Sequence, residues 1–162
     1  MLGKNWMTID KKPVEDVLAL IKGLVGEGPR TVHVGTDSQQ DRQVTQFVTV
    51  VCVLNPGKGG RGFYFTENVP RIASLRQRLL REVSVSVDVA MALEPELPEC
   101  GTRLTVHVDA NPDTQFKSSN YVQELAGYVA GQGFPVLVKP ESWLATHFAD
   151  HVVKNKVVGR GR

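Results

Sequence analysis

Two runs of alternating β-branched residues, each finishing in an aspartate, constrain this chain more than any other feature. The first, Thr31-Val32-His33-Val34-Gly35, leads into Thr36-Asp37-Ser38; the second is Leu104-Thr105-Val106-His107-Val108-Asp109. Period-two alternation is the pattern of a half-buried strand. A single strand-end Asp is ordinarily a turn former that accepts hydrogen bonds from the backbone just ahead. Two such strands separated by a helical stretch are expected to run parallel and to deliver both carboxylates at one end of a sheet. A shared site follows from that placement.

The rest of the chain supplies the other elements in the order αβββαβαβα. Pro13 to Val25 carries Val14, Val17, Leu18, Ile21, Leu24 and Val25 at helical spacing, and Gly26 with Gly28 stops it. After the Asp37 strand and a polar connector from Gln39 to Gln43, the valine-rich run Phe47 to Leu54 predicts a strand buried on both faces. A turn over Asn55-Pro56-Gly57-Lys58-Gly59-Gly60 leads to a short aromatic strand, Gly62 to Thr66. Helical period returns over Arg71 to Leu93 and ends before Pro95 and Pro98. The Asp109 strand, a turn at Asn111-Pro112-Asp113, a helix from Phe116 to Ala130 and a strand from Phe134 to Lys139 follow. Pro140-Glu141-Ser142 opens a last helix that reaches Lys154. The expected fold is therefore α/β: a mixed five-stranded sheet, an antiparallel meander of three strands plus two parallel ones, with helices on both faces. At 162 residues this is one domain, with 1–28 a helical extension and 155–162 a frayed basic tail.

Helical geometry sorts the further acids. At about 100° per residue, Ile72, Leu75, Leu79, Val83, Ser86 and Ala90 form one stripe, and Glu82 lies on its flank, about 60° from the centre. Asp88 lies opposite, toward solvent. An acid beside a core-facing stripe needs a partner. That partner is either Arg78 or Arg81 on the same helix, or the site holding the strand-end aspartates. On the last helix Leu144, Phe148 and Val152 make the apolar stripe, and Asp150 stands nearly opposite, the position of a solvated residue. His147 and His151 are four apart, but no cysteine or acid is spaced to complete a zinc site with them.

Grouped carboxylates repel one another, and a hard, oxygen-preferring divalent ion relieves that repulsion. Acids alone, without a serine–histidine pair or a reactive cysteine, point to metal-assisted phosphodiester chemistry over acyl transfer. The net charge of +2 permits a nucleic-acid partner without requiring one. Cys52 in an apolar strand and Cys100 in a loop cannot make a disulfide framework. With no apolar run long enough for a membrane span, the expected location is cytoplasmic.

An Asp on the first strand of a meander, a Glu on the next helix, an Asp after the fourth strand and an Asp on the last helix resemble the layout of ribonuclease H-like nucleases. More closely, the stretches Val34-Gly35-Thr36-Asp37-Ser38-Gln39, Val106-His107-Val108-Asp109, Gly131-Gln132-Gly133-Phe134, Val138-Lys139-Pro140 and Ala149-Asp150 are similar to the YkuK-like family of ribonuclease H-like proteins. The resemblance implies a nuclease using Mg2+ or Mn2+ in a two-metal-ion mechanism on RNA, RNA–DNA hybrid or structured DNA. It gives Asp37, Glu82, Asp109 and Asp150 the catalytic and metal-binding roles. The alternative it leaves open is a non-catalytic module of the same fold that binds nucleic acid or a protein partner.

Overall fold

The computed structural model describes residues 3–98, 101–142 and 144. Its strands are β1 (Trp6–Thr8), β2 (Pro13–Val14), β3 (Arg30–Gln40), β4 (Val44–Asn55), β5 (Gly59–Pro70), β6 (Thr102–Val108) and β7 (Val136–Val138). Its α-helices are α1 (Val17–Gly26), α2 (Leu75–Leu93) and α3 (Val122–Gly131). The strands join into one mixed sheet in the order β2-β1-β5-β4-β3-β6-β7. The expected meander is present as β3, β4 and β5, and the expected parallel pair of crossover strands as β6 and β7 beside β3.

The count of five strands is corrected to seven. The two extra strands form an N-terminal hairpin, with Trp6 opposite Val14 and Met7 opposite Pro13, and β1 pairs with β5. Strands this short leave no alternation to read. Pro13, which lacks an N–H, falls on the outermost strand, where no ladder donor is needed. Helix α1 consequently starts later than expected, at Val17, where the Asp16 carboxylate accepts a hydrogen bond from the Ala19 N–H at 2.9 Å. Helix α2 likewise starts at Leu75, not Arg71, because β5 continues through Pro70 and Ser74 caps the helix. Nor does β3 stop at Asp37. Ser38, Gln39 and Gln40 stay paired with Phe47, Gln46 and Thr45, since a ladder needs backbone groups and tolerates polar side chains.

The meander is held in register from Asn55–Gly59 to Val44–Pro70 by a tight turn containing Gly57 at φ 75°. Next to that turn, Gly60 packs so closely that a Cβ would collide with Leu54 and lie 2.9 Å from the Val53 backbone oxygen. Gly60→Ala is therefore expected to destabilise the protein by about 1–3 kcal/mol. A urea denaturation midpoint checks this, and an unchanged midpoint would contradict the close approach.

Helices α1, α2 and α3 contribute to a single core cluster. Ile21, Val25, Val83, Ala90, Leu93, Leu125 and Val129 meet Val32, Val34, Val51, Val53, Phe65, Val106 and Val108 there. The alternate residues of β4, Val48, Val50 and Cys52, turn to a second cluster with Tyr64 and Leu144, so β4 is buried on both faces as expected. The last helix, expected to reach Lys154, lies outside the described residues apart from its start and Leu144, as do Asp150 and the tail 155–162. Among the described residues no helix is long and apolar enough to cross a membrane.

Candidate metal and nucleic-acid site

Strands β3 and β6 are parallel neighbours, with Arg30 opposite Thr102 and Gly35 opposite His107. Two residues further on stand Asp37, still within β3, and Asp109, just past the end of β6, so the register brings both to the same end of two neighbouring strands. This is the arrangement expected from the two aspartate-ended runs. Asp37 is half-buried, and its Oδ1 accepts a hydrogen bond from the Ser38 N–H at 2.8 Å.

Glu82 comes from α2 and is 5% exposed. Ser38, one residue past Asp37 and on the opposite side of the strand, donates its hydroxyl to Glu82 Oε1 at 2.5 Å. One helical turn later, Ser86 locks the helix to the sheet. Its hydroxyl donates to the Glu82 backbone oxygen at 3.0 Å and lies 2.7 Å from Thr36 Oγ1, which is 3.0 Å from Thr49 Oγ1. Each hydroxyl has one proton, so the direction is set: Thr49 donates to Thr36, Thr36 to Ser86, and Ser86 to the helix carbonyl. Burial pushes the Glu82 carboxyl up to about 8. The Ser38 hydrogen bond opposes this, and the negative charges of Asp37 and Asp109 raise it further, with Arg78 a smaller opposing influence. Arg81 pairs with Glu67 instead. Glu82 thus has Ser38 as its hydrogen-bond partner and feels the charges of Asp37, Asp109 and Arg78, while Arg81 is engaged elsewhere. Asp88, on the far side of α2, is exposed.

Asp109 has a partner that sequence reasoning missed. Lys139 follows β7 as Asp109 follows β6, next in register after Val108 and Val138, and its Nζ is 2.5 Å from Asp109 Oδ1. The oxygen is buried and the contact lacks hydrogen-bond angles, so it is a charge contact between a carboxylate and an ammonium. Lys139-Pro140 was legible as a motif; its pairing with Asp109 depends on a strand register that local pattern does not carry.

His33 and His107 lie on the strand sides that carry Asp37 and Asp109. His33 Nδ1 is 2.8 Å from His107 Nε2, and His33 Nε2 is 3.1 Å from Thr31 Oγ1. A bond between two imidazoles needs one donor and one acceptor, which fits neutral rings. Burial lowers both pKa values, that of His107 to about 4 with a further contribution from His33.

The donor set is one of hard oxygens, and the upward pressure on Glu82 from two neighbouring carboxylates is the kind of repulsion a divalent cation relieves. In chemistry the residues fit Mg2+ or Mn2+. Among the described residues, however, no group of three or more His, Cys, Asp or Glu side chains is close enough to hold an ion. Asp150, the fourth acid named above, lies outside them.

The family model described as Ribonuclease H-like matches residues 14–154, from β2 to beyond β7. The chain belongs to the ribonuclease H-like family. It is also 30% identical, over 156 residues, to the uncharacterized protein YkuK of Bacillus subtilis (strain 168). That match covers 86% of this chain and 90% of the relative. Membership points this ribonuclease H-like protein toward a nuclease or other nucleic-acid-related role, in a family whose members commonly use Mg2+ or Mn2+.

Proposed function

We propose that this protein is a metal-dependent phosphodiesterase acting on RNA, RNA–DNA hybrid or structured DNA. The observation that carries the reading is Glu82: a buried carboxyl held by Ser38 of β3, its ionisation opposed first by burial and then by the charges of Asp37 and Asp109. Such an arrangement costs stability in a protein that makes no use of it. Asp37, Glu82, Asp109 and Asp150 would hold Mg2+ or Mn2+, which when bound supplies charge neutralisation at the phosphate and acidity for the attacking water.

The chain's own groups then have distinct tasks. Ser38 fixes the Glu82 carboxyl in direction, and the Thr49–Thr36–Ser86 hydroxyl chain fixes the helix that carries it. Because Glu82 holds its proton up to about pH 8, ion binding at neutral pH has to expel that proton. Affinity for the cation therefore rises as pH rises toward 8.

A non-catalytic module for nucleic acid or a protein partner is the second reading. It is favoured by Lys139, which already neutralises Asp109, and by the surface arginines Arg76 and Arg81, which are engaged with Glu124 and Glu67. Cleavage assays on hybrid, duplex, junction and single-stranded substrates with Mn2+ separate the two. The enzyme reading expects metal-dependent cleavage of at least one substrate, abolished by chelation. Binding without cleavage under every metal condition would leave the second reading.

A further inference from the structure

Lys139 stands against the carboxylate that the metal-site reading most needs. Asp109 and Lys139 are consecutive in register with the last paired residues of β6 and β7, Val108 and Val138, so the contact is built into the sheet. Their side chains are 11% and 34% exposed, and Nζ reaches Oδ1 at 2.5 Å. An ammonium on a four-carbon stem is a compact point charge that can swing away, unlike a guanidinium locked in a bidentate fork. The absence of hydrogen-bond angles at Oδ1 leaves charge as the main tie between them.

We propose that Lys139 is the resident cation of this site: it neutralises Asp109 in the metal-free protein and must withdraw before Asp109 can bind a divalent ion. The inference rests on the reading of the acids as a metal site and adds to it a gate. It accounts for two features together, a donor set suited to a hard cation and an ammonium already placed on one of its members. A metal ion arriving at Asp109 meets a like charge a few ångströms away. Its affinity is lowered until Lys139 turns outward, toward solvent or toward the phosphate of a bound substrate. Metal and substrate binding are then coupled, because a polyanion that draws Lys139 off Asp109 frees the carboxylate.

The test is Mn2+ binding to the full-length protein and to Lys139→Met, which keeps the length of the stem and removes the charge. Lys139→Met is expected to bind Mn2+ about tenfold tighter than wild type or more, given a unit charge at this range in a partly screened setting. Its metal-free melting temperature should fall, because Asp109 loses its counter-ion, and Mn2+ should raise that temperature further than it raises the wild type's. Lys139→Arg should keep Mn2+ binding weak. In an Asp109→Asn background, removing Lys139 should raise Mn2+ affinity by much less than it does in the wild type; this double-mutant cycle assigns the difference to the pair. Should Lys139→Met fail to fold, Lys139→Gln in both backgrounds carries the same comparison. Mn2+ binding that is equal or weaker without the lysine overturns the gate and leaves the metal-site reading standing. No Mn2+ binding in either protein overturns both. Binding that appears only when Lys139 is replaced supports the gate in its strongest form.

Discussion

Asp37→Asn and Asp109→Asn are each expected to lower divalent-dependent cleavage of nucleic acid by about 10^2–10^3-fold, the loss typical of one electrostatic stabiliser at a reacting group. Asparagine keeps the shape of the side chain and removes its charge, so the fold should persist with an unchanged circular dichroism spectrum. In Asp37→Asn the metal-free melting temperature should rise, because one of the charges that opposes Glu82 ionisation is gone. Glu82→Gln should be as damaging to activity. Asp88→Asn, on the exposed side of the same helix, should leave the rate as it is. Steady-state rates of the four variants under one metal condition check all of this. A dead Asp88 variant beside an active Glu82 variant would contradict the placement of α2.

The second large effect is on stability as a function of pH. The Glu82 carboxyl titrates near 4.5 in an unfolded chain and at about 8 in the fold, so the native state retains a proton that the unfolded state has lost between those values. Its contribution to stability is fully present below about 4.5 and is lost as pH rises through about 8. His107 acts in the opposite direction at lower pH. Its folded pKa of about 4 lies below the ordinary 6.5, so its contribution is present above 6.5 and lost as pH falls toward 4. The two overlap in mildly acidic solution and separate above pH 6.5, where Glu82 dominates. Metal-free wild type should therefore lose melting temperature steadily from pH 6.5 to 8.5. Glu82→Gln, which cannot ionise, should stay flat across that interval and be the more stable protein at its upper end. A wild-type profile that is flat, or that rises, would mean that Glu82 is not held protonated.

Much of this site was readable because it depends on periods that sequence carries directly. The stripe through Leu79, Val83, Ser86 and Ala90 put Glu82 at the edge of the buried face of α2, and there it lies. The helical stretch between the two aspartate-ended strands required a parallel crossover, and β3 and β6 pair that way. What escaped depends on longer-range or weaker signals. The hairpin of β1 and β2 is too short to alternate, and Asp16, a better helix cap than anything before it, moved the start of α1. Ser38 read as part of a motif, while its hydroxyl turned out to orient Glu82 across 44 residues of sequence. Lys139 reaches Asp109 only through the register of two strands joined by α3. Ser86 was visible on the stripe, but its bond to Thr36 exists only once helix and sheet are docked.

On the proposed reading, Asp37, Glu82 and Asp109 bind a divalent cation together with Asp150, and occupation of that site discharges the Glu82 proton. Calorimetric titration of Mn2+ into the metal-free protein at pH 7, repeated in two buffers of different ionisation enthalpy, measures both binding and the protons released by it. The account predicts saturable binding that releases up to about one proton, since Glu82 is still largely protonated at that pH, with both binding and release lost in Asp37→Asn. Absence of binding at millimolar Mn2+, or binding that Asp37→Asn leaves untouched, would contradict it.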